Sequence, residues 1–140
     1  MKSHLIDASS LLLLMKKADI QIELDYFKSS YLLDLTFYEV GNAIWKDTYL
    51  TKFLTKGESE ALRNRIQIVL GRTDRIGSEA ANFQKILDIS ESERLSFYDS
   101  SYLFAAREKN LILVTEDREL RAKAEKHVKT QNAATLGEGA

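Results

Sequence analysis

Cysteine and proline are both absent from the 140 residues, and glycine is scarce at six. Without cysteine there are no disulfides and no thiolate zinc centres, which fits a reducing compartment. Without proline, nothing obvious interrupts a long helical pattern. The glycines are scattered, and no glycine-rich phosphate loop appears among them. An excess of one charge is missing too. Twenty basic residues against 21 acidic ones leave a net charge of −1. A global basic field is thereby excluded, so any contact with nucleic acid must rest on local patches. The apolar run "LLLLM" (Leu11–Met15) follows Asp7 closely and is closed by Lys16 and Lys17. A secretory core needs ~7–15 apolar residues and a membrane span ~20. The run therefore reads as a buried helix, and a cytoplasmic protein without a membrane segment is expected.

What is present reads as strands separated by helices. "HLID" (His4–Asp7) is a short buried strand, and Ser9 is a good N-cap for a helix over Ser10–Lys17. A second helix is expected over Ile20–Lys28, then a strand "YLLDL" (Tyr31–Leu35). Thr36 is placed to cap a long amphipathic helix to about Leu54. Further helices are expected at Glu58–Leu70 and Ser78–Glu91, joined through Gly71 and Gly77. Ser96 caps a helix to Lys109, and Asn110 suits a left-handed stop. "LILVT" (Leu111–Thr115) is a third strand; a helix over Asp117–Lys126 and a weak strand near His127–Thr130 close the domain. This order predicts an α/β fold: a short parallel sheet of four to five strands flanked by helices, in one domain over 1–130, with 131–140 a flexible tail.

The stretch "LSFYDSSYLFAAREKNLILVTEDREL" carries two carboxylates, Asp99 at a helix start and Asp117 after a strand end. The helix rises ~20 Å at 1.5 Å per residue and the strand returns ~16 Å at 3.3 Å per residue. Both acids therefore come to the same sheet edge. Asp7 ends the first strand, and Glu39 opens the helix after the second. All four fall at the carboxyl edge, where open α/β sheets bind ligands. Four carboxylates repel one another, and a divalent cation relieves this best. Oxygen-only ligands suit Mg²⁺ or Mn²⁺, and such a centre serves phosphodiester hydrolysis. Each acid also has an ordinary reading. Thr36–Glu39 and Ser96–Asp99 both fit a capping box, Asp117 suits a helix dipole, and Asp7 suits a turn.

At these residues the sequence resembles the PIN-domain ribonucleases, above all the VapC-type toxins. "LIDASSLL", "TFYEVGNAIWK" and the Leu95–Leu120 stretch carry the likeness, which covers nearly the whole chain. The resemblance implies a PIN-like fold and a metal-binding, catalytic quartet of Asp7, Glu39, Asp99 and Asp117. Ser9, Asn42 and Thr115 are the implied supporting polar residues. It also implies Mg²⁺- or Mn²⁺-dependent endonucleolytic cleavage of RNA, a homodimer, and inhibition by a VapB-like antitoxin. Ser9 and Thr115 equally suit helix caps. Glu116 is open to two readings, a further site acid or a solvent-facing one.

Other chemistries fit less well. A metal-free ribonuclease could use the two histidines as acid and base, but His4 lies at the opposite end of its strand from Asp7 and His127 precedes a strand, so both are expected to face away from the acidic edge. A glycosidase carboxylate pair lacks a sugar platform. A signalling receiver would carry its acceptor Asp at a strand end and a Lys after a later strand, whereas Asp99 starts a helix. The stronger alternative is a noncatalytic PIN-like interaction module. Arg63, Arg65, Arg72 and Arg75 form one basic group, and Arg118, Arg121, Lys123, Lys126 and Lys129 another. Both read mainly as solvated helix faces, with Arg118 the best candidate for an RNA phosphate contact. Tyr38, Trp45 and Tyr102 are candidates for base stacking, although helical spacing favours core or dimer packing. Parts of "SLLLLM" and "FYEVGNAIW" are expected to form a dimer face and a groove for an antitoxin segment.

Overall fold

The computed structural model describes residues 3–17 and 26–133. Strand β1 (His4–Ile6) leads into α1 (Ala8–Lys17), and β2 (Ser30–Leu33) into α2 (Asp34–Tyr49) and α3 (Lys56–Arg72). Then come β3 (Asp74–Ile76), a 3₁₀ turn (Ala80–Asn82), α4 (Phe83–Glu93) and α5 (Phe97–Glu108). Strand β4 (Ile112–Val114), α6 (Arg118–Ala124) and β5 (Thr130–Gln131) complete the described chain. The five strands form one parallel sheet in the order β3-β2-β1-β4-β5. The expected α/β architecture is thus present. No helix among the described residues is long and apolar enough to cross a membrane.

Alternation along the strands sends successive side chains to opposite faces. Leu5, Leu33 and Leu113 join a core with Leu103, Phe104, Leu111 and Leu120 on the side of α4, α5 and α6. Their neighbours Ile6, Leu32 and Val114 join a second core with Leu11, Met15, Val40, Leu62, Ile66 and Val69 on the side of α1, α2 and α3. Three layers result, and the central strands are buried on both faces, which explains why β4 is wholly apolar and why β1 and β2 each end in two apolar residues. Helix α2 buries Thr36, Val40 and Ile44, and α3 buries Ser59, Leu62, Ile66 and Val69. These spacings put one stripe of each helix against the sheet. Thr55 and Glu58 form a complete capping box at the start of α3. Asn110 takes the expected left-handed conformation, with φ 54°.

Several local expectations change. Strand β2 stops at Leu33, so α2 begins at Asp34 and Thr36 lies buried inside its first turn rather than capping it. Helix α1 begins at Ala8, which places Ser9 inside the helix; Asp7 does the capping. Strand β3 has the composition "DRI" and was not expected between the two glycines. It lies at the sheet edge and is largely exposed, so its apolar signal is weak. Strand β5 falls at Thr130–Gln131 rather than His127–Thr130. Gln131 pairs with Val114, and Ala133 is buried, so the folded domain runs past 130 and the tail cannot start at 131. Residues 26–28 are helical, but the rest of the helix expected over Ile20–Lys28 lies outside the described residues. Leu11, Leu14 and Met15 are buried, so most of "SLLLLM" serves the core and not a dimer face.

Leu113 has no exposed surface and stands beside Leu5 in the central pair of strands. Leu113→Ala should lower unfolding free energy by about 2–5 kcal/mol, the usual range for a core cavity that cannot collapse. Urea unfolding followed by circular dichroism measures this; a loss under about 1 kcal/mol would contradict such tight central packing.

Candidate active site at the carboxyl edge

The central pairing of β1 with β4 aligns Ile6 with Val114, and one further bond carries the register past both strands. The Asp7 N–H donates to the Val114 carbonyl at 3.1 Å. Asp7 and Thr115 are therefore neighbours at the point where the chain order reverses across the sheet, the topological switch of an open α/β fold. Asp7 is only 6% exposed. Its Oδ1 accepts the Ser9 hydroxyl at 2.9 Å and the Ser10 N–H at 2.9 Å, and the Thr115 hydroxyl hydrogen-bonds its carboxylate. Burial pushes the Asp7 carboxyl above its ordinary value, and these bonds partly oppose that.

Thr115 connects two acids. While its hydroxyl serves Asp7, its Oγ1 accepts the Asp117 N–H at 3.1 Å. Asp117 is the N-cap of α6 and accepts the Leu120 N–H at 3.0 Å. The capping reading of Asp117 is therefore correct as far as it goes, yet the cap leaves its carboxylate exposed at the same edge. Both Asp7 and Asp117 occupy helix starts, where amide dipoles favour negative charge.

Asp99 lies in the first turn of α5, half-buried. Ser96 caps that helix by accepting the Asp99 N–H at 3.1 Å. Burial first, then the charges of Asp117, Asp7, Glu39 and Glu119, push the Asp99 carboxyl up to about 6. Asp99 is thus coupled through space to Asp7, Glu39 and Asp117. Glu39 lies in the second turn of α2, and burial followed by the Asp7 charge raises its carboxyl, opposed by a hydrogen bond from Tyr102. With Thr36 inside the helix, the Thr36–Glu39 capping box is ruled out.

Tyr102 is a residue whose place the sequence reading missed. It is 2% exposed, too buried to stack on a base, and its hydroxyl donates to Glu39 Oε1 at 2.7 Å. Thr36 Oγ1 stands 2.6 Å from the same phenol oxygen. The position three residues after Asp99 on one helix face was the available signal. Glu119 was missed as well; it acts on Asp99 while pairing with Lys123 at 2.9 Å.

The remaining candidates are less engaged. Asn42 is exposed one turn beyond Glu39, and Arg118 is exposed beside Asp117. Glu116 turns its carboxylate to the Ala133 N–H, tying down the segment after β5. His127 pairs with Glu93 at 2.7 Å, remote in the fold from the four acids, as does Lys126 at 3.5 Å. Tyr38 and Trp45 are exposed on α2.

No family model matches the chain. The chain is 34% identical over 120 residues to Exonuclease VapC9 of Pyrobaculum aerophilum, a match covering 86% of this chain and 84% of that protein. Among solved structures it is similar to PAE2754 of Pyrobaculum aerophilum, with a TM-score of 0.79 and 30% identity over 96% of this chain and 92% of that one. FitAcB of Neisseria gonorrhoeae shares the fold at a TM-score of 0.61 and 19% identity, covering 95% and 99%.

The raised Asp99 carboxyl has a defined pH signature. The folded state holds this proton more tightly than the unfolded chain, whose ordinary value is 3.8. Its contribution is therefore favourable at low pH and is lost as pH rises from the ordinary value through about 6. In EDTA, Asp99→Asn should gain thermal stability relative to the native protein between about pH 4 and about pH 7, because the amide carries no charge to bury or to repel. Melting curves across that range test this; a constant offset would mean that the Asp99 carboxyl is not raised by its surroundings.

Proposed function

The chain belongs to the VapC family of PIN-domain nucleases, and on that premise we propose that Asp7, Glu39, Asp99 and Asp117 form a Mg²⁺ or Mn²⁺ centre that cleaves RNA internally. The observation that carries this reading is the gathering of Asp7, Glu39, Asp117 and Glu119 around a half-buried Asp99, whose carboxyl is pushed up to about 6 first by burial and then by these charges. A bound dication removes that cost, whereas a purely structural site has no use for it.

The donor set fits such an ion. All four side chains offer hard carboxylate oxygens. Among the described residues no three of them stand close enough to form a closed cage. Mg²⁺ itself keeps several waters and takes few protein ligands directly. When bound, the ion supplies Lewis-acid polarisation of the phosphodiester and an acidified water. The chain supplies the rest. Asp7, held by Ser9, Ser10 and Thr115, is the fixed anchor of the site. Thr115 keeps Asp7 and Asp117 in step. Asn42, exposed on α2, would orient a water or a phosphate oxygen. Arg118 would draw the RNA backbone to an otherwise negative edge. Asp117 lies exposed there, and an open edge admits the middle of a strand as readily as an end.

The partners of this reading are a second copy of the chain and a VapB-like antitoxin. Phe37, Tyr38, Trp45 and Tyr49 leave apolar area exposed on α2 for such contacts.

Asp7→Asn, Glu39→Gln, Asp99→Asn and Asp117→Asn should each lower RNA cleavage by about 100-fold or more while the circular dichroism spectrum is kept. A circular RNA should be linearised in Mg²⁺ or Mn²⁺ and left whole in EDTA. Cleavage that persists in EDTA would refute the metal centre, and resistance of the circle alongside trimming of linear RNA would refute internal cleavage. No cleavage of any RNA by the native protein would leave the noncatalytic interaction module as the better reading. Light scattering of the isolated chain should report a dimer; a monomer at micromolar concentration would remove the self-association part.

A further inference from the structure

Tyr102 and Thr36 come from different helices and meet at Glu39. Thr36 is fully buried in the first turn of α2, Tyr102 is buried in α5, and Glu39 lies one turn beyond Thr36. The phenol hydroxyl has a single proton, and it is directed to Glu39 Oε1 at 2.7 Å. Thr36 Oγ1, 2.6 Å from the phenol oxygen, must then be the donor in their contact. The chain of bonds therefore has one direction, Thr36 to Tyr102 to Glu39.

Satisfying a buried phenol does not require this arrangement. Thr36 alone could accept the Tyr102 proton and meet its need for a partner. Directed to Glu39 instead, the proton gives this half-buried carboxylate a charge-assisted hydrogen bond that offsets part of its burial. The bond holds one carboxylate oxygen, Oε1, and among the described residues no hydrogen-bond donor claims Oε2.

We propose that Tyr102, oriented by Thr36, is a positioning residue that presents Glu39 to a divalent cation through one oxygen and thereby favours small octahedral ions over Ca²⁺. The proposal rests on the metal-centre reading of the preceding subsection. Its chemistry follows from coordination preferences. Ca²⁺ takes six to eight oxygens and accepts two from one carboxylate, whereas Mg²⁺ demands near-octahedral geometry with single contacts. A carboxylate already holding a phenol proton on one oxygen suits the second kind. Mutation of such outer partners costs about 10–100-fold in metal affinity or activity.

The test uses the full metal-free chain titrated with Mn²⁺ alone and, separately, with Ca²⁺ alone. Mn²⁺ binding is read from the electron paramagnetic resonance of the free ion, and Ca²⁺ by competition. Tyr102→Phe should weaken Mn²⁺ about tenfold and narrow the Mn²⁺ to Ca²⁺ affinity ratio by a similar factor. Thr36→Val keeps the phenol and removes its donor, so it should move both quantities the same way by a smaller factor. In RNA cleavage both variants should lose kcat with KM little changed. A lower melting temperature with unchanged Mn²⁺ affinity and ratio in both variants would overturn the positioning role and leave Tyr102 a packing residue. Failure of the native protein to bind Mn²⁺ at all would instead overturn the metal centre, and with it this proposal.

Discussion

The parallel pairing of β1 with β4 is the constraint on which the site depends. These strands lie far apart in sequence, yet their register sets Ile6 against Val114 and lets the Asp7 N–H reach the Val114 carbonyl. The next residues on each strand then stand side by side, and Thr115 can bond the Asp7 carboxylate while accepting the Asp117 N–H. A one-residue slip would send every side chain of β4 to the other face. Leu113 and Val114 would exchange cores, so hydrophobic burial on both sides of the sheet enforces the register that the acids need.

Against that frame works the repulsion of the acids themselves. Burial raises the Asp7 carboxyl, and burial followed by neighbouring charge raises those of Glu39 and Asp99. The fold offsets part of this locally. Asp7 and Asp117 sit at helix starts and accept backbone N–H bonds, and Asp7 receives two hydroxyls. Glu39 is opposed in the same sense by Tyr102. Asp99 is the acid on which the largest number of neighbouring carboxylates bear. Capping and function are thus compatible uses of one side chain: a cap bond fixes a carboxylate's direction without hiding it.

Much of the design was legible locally. Apolar runs bounded by polar residues identified β1, β2 and β4, and Ser96 and Asn110 marked the limits of α5. Strand β3 escaped because an edge strand buries little and "DRI" has no apolar run. Thr36 looked like a cap because threonine and a glutamate three residues on make the same local pattern whether or not a helix starts there. The true start, at Asp34, was set by where β2 ran out of partners. Tyr102 read as core or a stacking surface; its spacing from Asp99 put it on the site's side of α5, but the carboxylate it meets comes from another helix.

By itself the sequence determined the alternation of strands and helices and the edge to which Asp7, Glu39, Asp99 and Asp117 belong, because hydrophobic period and chain direction are local properties. Only the tertiary structure decided the strand order β3-β2-β1-β4-β5, which makes neighbours of Asp7 and Thr115. It also decided that Tyr102 meets Glu39 and that Glu116 turns away to Ala133. These contacts join residues from different elements, and their geometry follows from how two cores pack on one sheet.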